Sequence, residues 1–204
     1  MKRATLLMAT VGLVGAAAVG GTALASVSDE RKASEPLGAV LAAARSALPA
    51  SAADVHGELG GELLSVDLPG DGSAEVVLYD YAADLTHQIT VRGGDVVDSQ
   101  TARVQPPPTA TEATAALGIA LDRPLPLPFA AAFAERQGVP LVSPDQVSVI
   151  AGAWTTDGSG AAADCGHHRC VQLVVATPAG DYLDTHDFVV DLSTGTVINL
   201  GAPR

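Results

Sequence analysis

The sequence predicts an α+β protein made of two copies of one plan, a helix followed by an antiparallel sheet that it covers. Three observations lead there. Apolar residues recur at helical steps in two places, each time ahead of a series of β-rich runs. The runs are joined by short Gly- and Pro-bearing turns that favour antiparallel hairpins. A similar stretch also occurs twice: Thr86-His87-Gln88-Ile89-Thr90-Val91 precedes a Gly turn and Asp95-Val96-Val97, as Thr185-His186-Asp187-Phe188-Val189-Val190 precedes a Gly turn and Thr196-Val197-Ile198.

The chain of 204 residues opens with Lys2 and Arg3, an uncharged run from Leu6 to Gly21, and Thr22-Ala23-Leu24-Ala25 before Ser26. That order of basic, apolar and small residues predicts a secretory signal peptide over 1–25. The apolar run, about 16 residues and rich in Gly and Ala, is shorter than the roughly 20 apolar residues a membrane span needs. No cysteine follows the cleavage point to accept a lipid, so the expected product is secreted and extracellular, with no membrane attachment after signal cleavage.

Residues 26–105 are expected to form the first α+β repeat. Pro36 suits the first turn of a helix running to about Leu48, with Leu37, Val40, Leu41, Ala44 and Leu48 as its stripe and Pro49 to end it. Strands follow over 62–68, 74–81 and 86–91, the last continuing after Gly93-Gly94 into 95–99. Pro69-Gly70-Asp71-Gly72 supplies the turn between the first two. Pro106-Pro107-Pro108 then interrupts regular structure and opens the second repeat, 106–204. Thr109-Ala110-Thr111-Glu112 reads as a capping box for a helix with Ala113, Ala116, Leu117, Ala120 and Leu121 on one face. A further helix is expected over 128–137, strands over 146–154 and 171–177, and a closing hairpin over 188–191 and 196–200.

With 11 basic against 23 acidic side chains and a net charge of -12, the chain lacks the clustered Lys and Arg that nucleic acid demands. Cleavage after Ala25 removes two basic residues and no acidic one, which makes an anionic lipid surface repulsive. Aromatics are 3% of the composition, too few for a base-stacking platform or an aromatic sugar cleft.

Cys165-Gly166-His167-His168-Arg169-Cys170 is the densest chemical cluster. Two cysteines in an exported chain most simply pair, and a loop this short would give about 2 kcal/mol or less of stabilisation. The alternative is a copper or zinc site using Cys165, His167, His168 and Cys170. Asp67, Asp71 and Glu75 sit at positions one, five and nine of a calcium-type loop, but Pro69 and Leu78 occupy positions three and twelve, where ligands belong. A plain hairpin turn is the competing reading. His87 and His186 occupy matching places at the start of a strand in the two copies. Gly158-Ser159-Gly160 lacks the Gly-x-Ser-x-Gly spacing of a nucleophile elbow, and no phosphate loop, His-Glu-x-x-His run or Cys-x-x-Cys pair is present.

The stretch Val76 to Glu112, with Val-Val-Leu-Tyr-Asp-Tyr, a hairpin and Val-Gln-Pro-Pro-Pro-Thr-Ala-Thr-Glu, resembles the small N-terminal domains of secreted copper amine oxidases. The closing Phe188-Val189-Val190-Asp191-Leu192-Ser193-Thr194-Gly195-Thr196-Val197 resembles the same domains and PepSY-like and cystatin-like modules. Over its whole length the chain is similar to exported proteins of actinobacterial type. The resemblance implies duplicated helix-on-sheet modules. It does not imply oxidase activity, because the Asn-Tyr pair and the copper-binding catalytic domain of those enzymes are missing.

Together these readings predict a non-enzymatic binding, inhibitory or accessory protein that needs no cofactor. Its partner would be a protein or peptide met by a bare sheet face, and the chain would be a monomer or homodimer. The alternatives are an extracytoplasmic metal-binding protein holding copper, zinc or calcium, and a small secreted hydrolase.

Overall fold

The computed structural model describes residues 37–124, 126–156 and 158–201; the expected signal peptide lies outside the described residues. Helix α1 spans 37–46 and ends just before Pro49. Its stripe buries Ala44 and Leu48 and half-buries Val40 and Leu41, while Leu37 stays exposed at the helix start.

Strands β1 (Glu62–Asp67), β2 (Ser73–Asp80), β3 (Leu85–Arg92) and β4 (Asp95–Ala102) form an antiparallel sheet in chain order. Val76 and Leu78 of β2 stand opposite Ile89 and His87 of β3, and the apolar three of that four meet α1. A helix about 10 Å across covers strands about 4.8 Å apart only two or three at a time. β4 is accordingly exposed along its whole length. It runs past the expected end at Ser99 because Gln100, Thr101 and Ala102 continue the pairing without any apolar alternation to announce it.

The second half builds another layer. Helix α2 (Ala110–Leu121) begins at the expected capping box, Thr109 Oγ1 accepting from the Glu112 amide at 3.1 Å and Glu112 Oε2 from the Thr109 amide at 2.8 Å. Helix α3 (Pro128–Gln137) closes on Gly138 in the left-handed conformation. A short 3-10 turn, Pro144–Gln146, takes the first residue of the expected strand, so β5 is Ser148–Trp154. Strands β6 (Cys170–Ala176), β7 (Tyr182–Leu183), β8 (Phe188–Asp191) and β9 (Thr196–Asn199) complete a five-stranded antiparallel sheet of order β5-β6-β8-β9, with β7 pairing beside β8 on β6. Two residues are too few for a strand pattern to show, which is why β7 has no sequence signal.

Both sheets belong to one compact unit, Pro36–Arg204. The main core lies between α2, α3 and the inner face of the second sheet, where Leu117, Phe133, Val171, Leu173 and Val190 pack and Phe129 stacks on Phe188 with ring centres 5.6 Å apart. On the outer face of that sheet, Trp154, Val189, Ile198 and Ala162 surround the disulfide joining Cys165 and Cys170. Among the described residues, no helix is long and apolar enough to cross a membrane.

Gly61 is the tightest backbone approach in the first half. Its φ is +69°, and a Cβ there would lie 3.1 Å from the Tyr79 carbonyl oxygen and 3.0 Å from Leu48 Cδ1. Gly61→Ala should therefore lose about 1–3 kcal/mol, through the left-handed backbone and the clash together. Gly57→Ala, at a similar φ of +79° but facing open space, should lose less. Urea unfolding of the two variants separates the contributions.

Candidate functional site

The largest polar constellation joins the two halves, and short-range patterning exposes only one of its members. Glu112, placed by the capping box at the start of α2, is fully buried, and so is Arg169, which precedes the first residue of β6. Arg169 Nε donates to Glu112 Oε1 at 2.8 Å and Nη2 to Oε2 at 2.9 Å. Tyr81, from the loop after β2, donates its hydroxyl to the same Oε1 at 2.5 Å. With the Thr109 amide, that gives the carboxylate four donors.

The remaining face of the guanidinium is equally occupied. Nη1 donates to the Pro106 carbonyl at 2.7 Å and to Gln105 Oε1 at 3.2 Å, and Nη2 reaches the Pro107 carbonyl at 3.5 Å. The Tyr79 ring lies against it, 5.2 Å from centroid to Cζ. Tyr79 in turn donates to Asp84, which also accepts from Ser193 at the β8–β9 turn. The Pro-rich link is thus a strap pinned by one side chain. Prolines cannot donate, but their carbonyls accept, and Arg169 supplies the donors.

Burial works against the charge of Arg169, and the hydrogen bonds and charge of Glu112 overcome it, holding the guanidinium protonated. Burial, and then the Glu112 carboxylate, pushes the Tyr81 hydroxyl far up; burial and Asp84 do the same to Tyr79. Both tyrosines therefore act as neutral donors. The cluster has no exposed reactive atom in Glu112 or Arg169, and its chemistry is structural.

The residues singled out from the sequence are distributed differently. Cys165 and Cys170 are fully buried and bonded to each other, so neither offers a thiolate to a metal. His168 turns to Asp191, Nδ1 to Oδ2 at 2.8 Å, which raises its pKa through that hydrogen bond. Asp67 and Glu75 are cross-strand partners, but Asp71 turns to the Ser73 amide and to Arg92 at 2.9 Å. Among the described residues, no three His, Cys, Asp or Glu side chains converge as a metal site would need. In the Cys165–Cys170 loop the sulfurs are thus taken up by the disulfide, and in the Asp67–Glu75 loop Asp71 is engaged in local turn bonds.

The two histidines expected at matching places are not equivalent. His87 is within β3 and buried on the α1 side, whereas His186 precedes β8, exposed and bonded to Asp184. Pairing of β8 with β6 is confined to Cys170–Asp191 and Val171–Val190, so the chain before Phe188 is free to turn outward.

Of the open surfaces among the described residues, two border the second half. A groove of about 700 Å³ runs between α2 and Val55-His56, lined by Thr114, Gly118, Ile119 and Asp122. Another of about 340 Å³ lies on the outer face of the second sheet, among Gln172, Val174, Tyr182, Asp184 and His186. There Ile150 is 67% and Tyr182 72% exposed, and Val174 stands opposite Ile150 in the register. The face of the first sheet away from α1 is instead polar, with Glu75, Gln88, Thr90, Asp98 and Gln100. No protein-family model and no curated protein matches the chain.

Removing either partner of a buried ion pair strands the other charge, typically at 3–5 kcal/mol. Arg169→Met and Glu112→Gln should each lose about that much, and the double variant much less than their total. Chemical denaturation of the four proteins measures the coupling.

His87 supplies a pH signature. Burial lowers its pKa below the ordinary value of 6.5, with Asp80 partly opposing. The unfolded chain then binds the proton more readily, so this contribution to stability is full above about pH 6.5 and falls as the pH drops toward the folded pKa. In melting curves, His87→Gln should flatten the stability loss between neutral and mildly acidic pH.

Proposed function

We propose that this chain is a secreted, non-enzymatic binding or accessory protein whose ligand, a protein or peptide, meets the outer face of the second sheet. The observation that carries the reading is the contrast between the two chemistries. The strongest charges outside the exposed surface, Glu112 and Arg169, are sealed and saturated, while Ile150, Val174 and Tyr182 leave apolar area open on adjacent strands. Monomeric surfaces rarely leave neighbouring large apolar groups uncovered without a partner. The disulfide fits an oxidising compartment, in keeping with the basic, apolar and small-residue order of the first 25 residues. The two halves, each a helix ahead of an antiparallel meander, support descent from one duplicated module.

The exposed His186–Asp184 pair beside the same groove is the one feature that favours a hydrolase. The hydroxyl adjacent to it in sequence, Thr185 Oγ1, is buried and donates to the Leu173 carbonyl at 2.5 Å. That hydroxyl is therefore not presented to the imidazole as a nucleophile.

A photo-crosslinking residue at Tyr182, with Gln88 on the polar face of the first sheet as control, tests the reading in the protein's own extracellular medium. A discrete adduct at 182, competed by the unlabelled chain and lost in Val174→Lys, is the expected result. Equal labelling at 88, no adduct at 182, or a hydrolytic activity abolished by His186→Ala would overturn it.

A further inference from the structure

The free strand edges of the two sheets are not alike. β1 carries Glu62 and Asp67 and breaks its register between Leu63 and Ser65. β4 carries Asp95 and Asp98, and its pairing with β3 shifts between Thr90 and Val91. β9 is only four residues long. Charges, bulges and brevity are the usual means of keeping an edge from pairing with another chain. β5 has none of them: Ser-Val-Ile-Ala-Gly-Ala-Trp is uncharged, has no proline and pairs with β6 over seven residues without a break. Among the described residues, no other backbone meets its outer edge.

We propose that the outer edge of β5 pairs antiparallel with β5 of a second copy of this chain, making one sheet continuous across a two-fold homodimer. Charge selects the edge at which two copies can meet. At a net charge of -12, two copies repel wherever carboxylates would meet, and β5 is the long edge that brings none together.

Shape fits the same register. Centred on Ala151, a two-fold antiparallel pairing sets Ile150 opposite Gly152 of the second copy and Ser148 opposite Trp154. Each large side chain faces a small one, with sheet faces kept in line. A Cβ on Gly152 would meet nothing within 4 Å, so the space beside it is open to the second copy's Ile150.

This proposal uses the edge of the sheet and shares Ile150 with the proposed ligand face, whereas Tyr182 belongs to that face alone, so Tyr182→Glu should leave the pairing intact. Sedimentation velocity across a wide concentration range should show a species of twice the monomer mass. Hydrogen exchange should show β5 amides becoming protected as concentration rises. Ile150→Lys should return the protein to monomer, with the melting temperature the unaltered protein has at high dilution, while Val174→Lys, one strand inward, should leave the dimer in place. A monomer at every concentration overturns the proposal, as does a dimer that survives Ile150→Lys with β5 exchange independent of concentration. β5 protection that appears only when a different protein is added would give the edge to a foreign strand and overturn self-pairing as well.

Discussion

The two halves of this protein are held in register by a single saturated ion pair, Glu112 with Arg169, and the rest of the architecture is arranged around keeping it satisfied. Glu112 is fixed in direction because it also caps α2. Arg169 is fixed because its neighbour Cys170 begins β6 and is tied back to Cys165. Placed between them, Tyr81 and Tyr79 bring the end of β2 against the second sheet, and the carbonyls of Pro106 and Pro107 bring the link with them. A buried charge pair of this kind adds little net stability compared with an apolar contact of equal size. It does penalise any arrangement that leaves one partner alone, so it specifies how the halves meet.

The same logic accounts for the division of the second sheet into two working regions. Ala162 and Cys165 pack on one end of the outer face, against Trp154, Val189 and Ile198. The other end, with Ile150, Val174 and Tyr182, is left open. A short disulfide loop contributes modest entropy, and its larger effect is positional: it keeps the loop from sliding across the open end and sets Arg169 at the junction.

Much of the local structure was legible because it depends on neighbours in sequence. The capping box at Thr109 and Glu112, the Gly93-Gly94 hairpin and the alternating runs of β2 and β6 are each decided within a few residues. The cysteine pair was equally legible, since two cysteines five residues apart leave few alternatives. The residues of the calcium-like and thiolate-type metal readings have local partners instead: Asp71 bonds Ser73 and Arg92, and the sulfurs have each other. The matching of His87 with His186 failed because similar strings were paired without regard to strand partners, and β7 shortens the pairing available to β8.

The sequence by itself determined an α+β chain of two helix-then-sheet halves, an acidic composition with a net charge of -12, and half of its central ion pair, since a capping glutamate announces its own position. Arg169, Tyr79, Tyr81 and Asp84 carry no local signal, and only the tertiary structure decided that they meet. It also decided which strand edges stay open and which sheet face is left bare. Helix caps and turns are settled by atoms a few bonds apart. A buried charge finds its partner across 57 positions of chain, and that distance closes only when both sheets have formed and water has left the space between them.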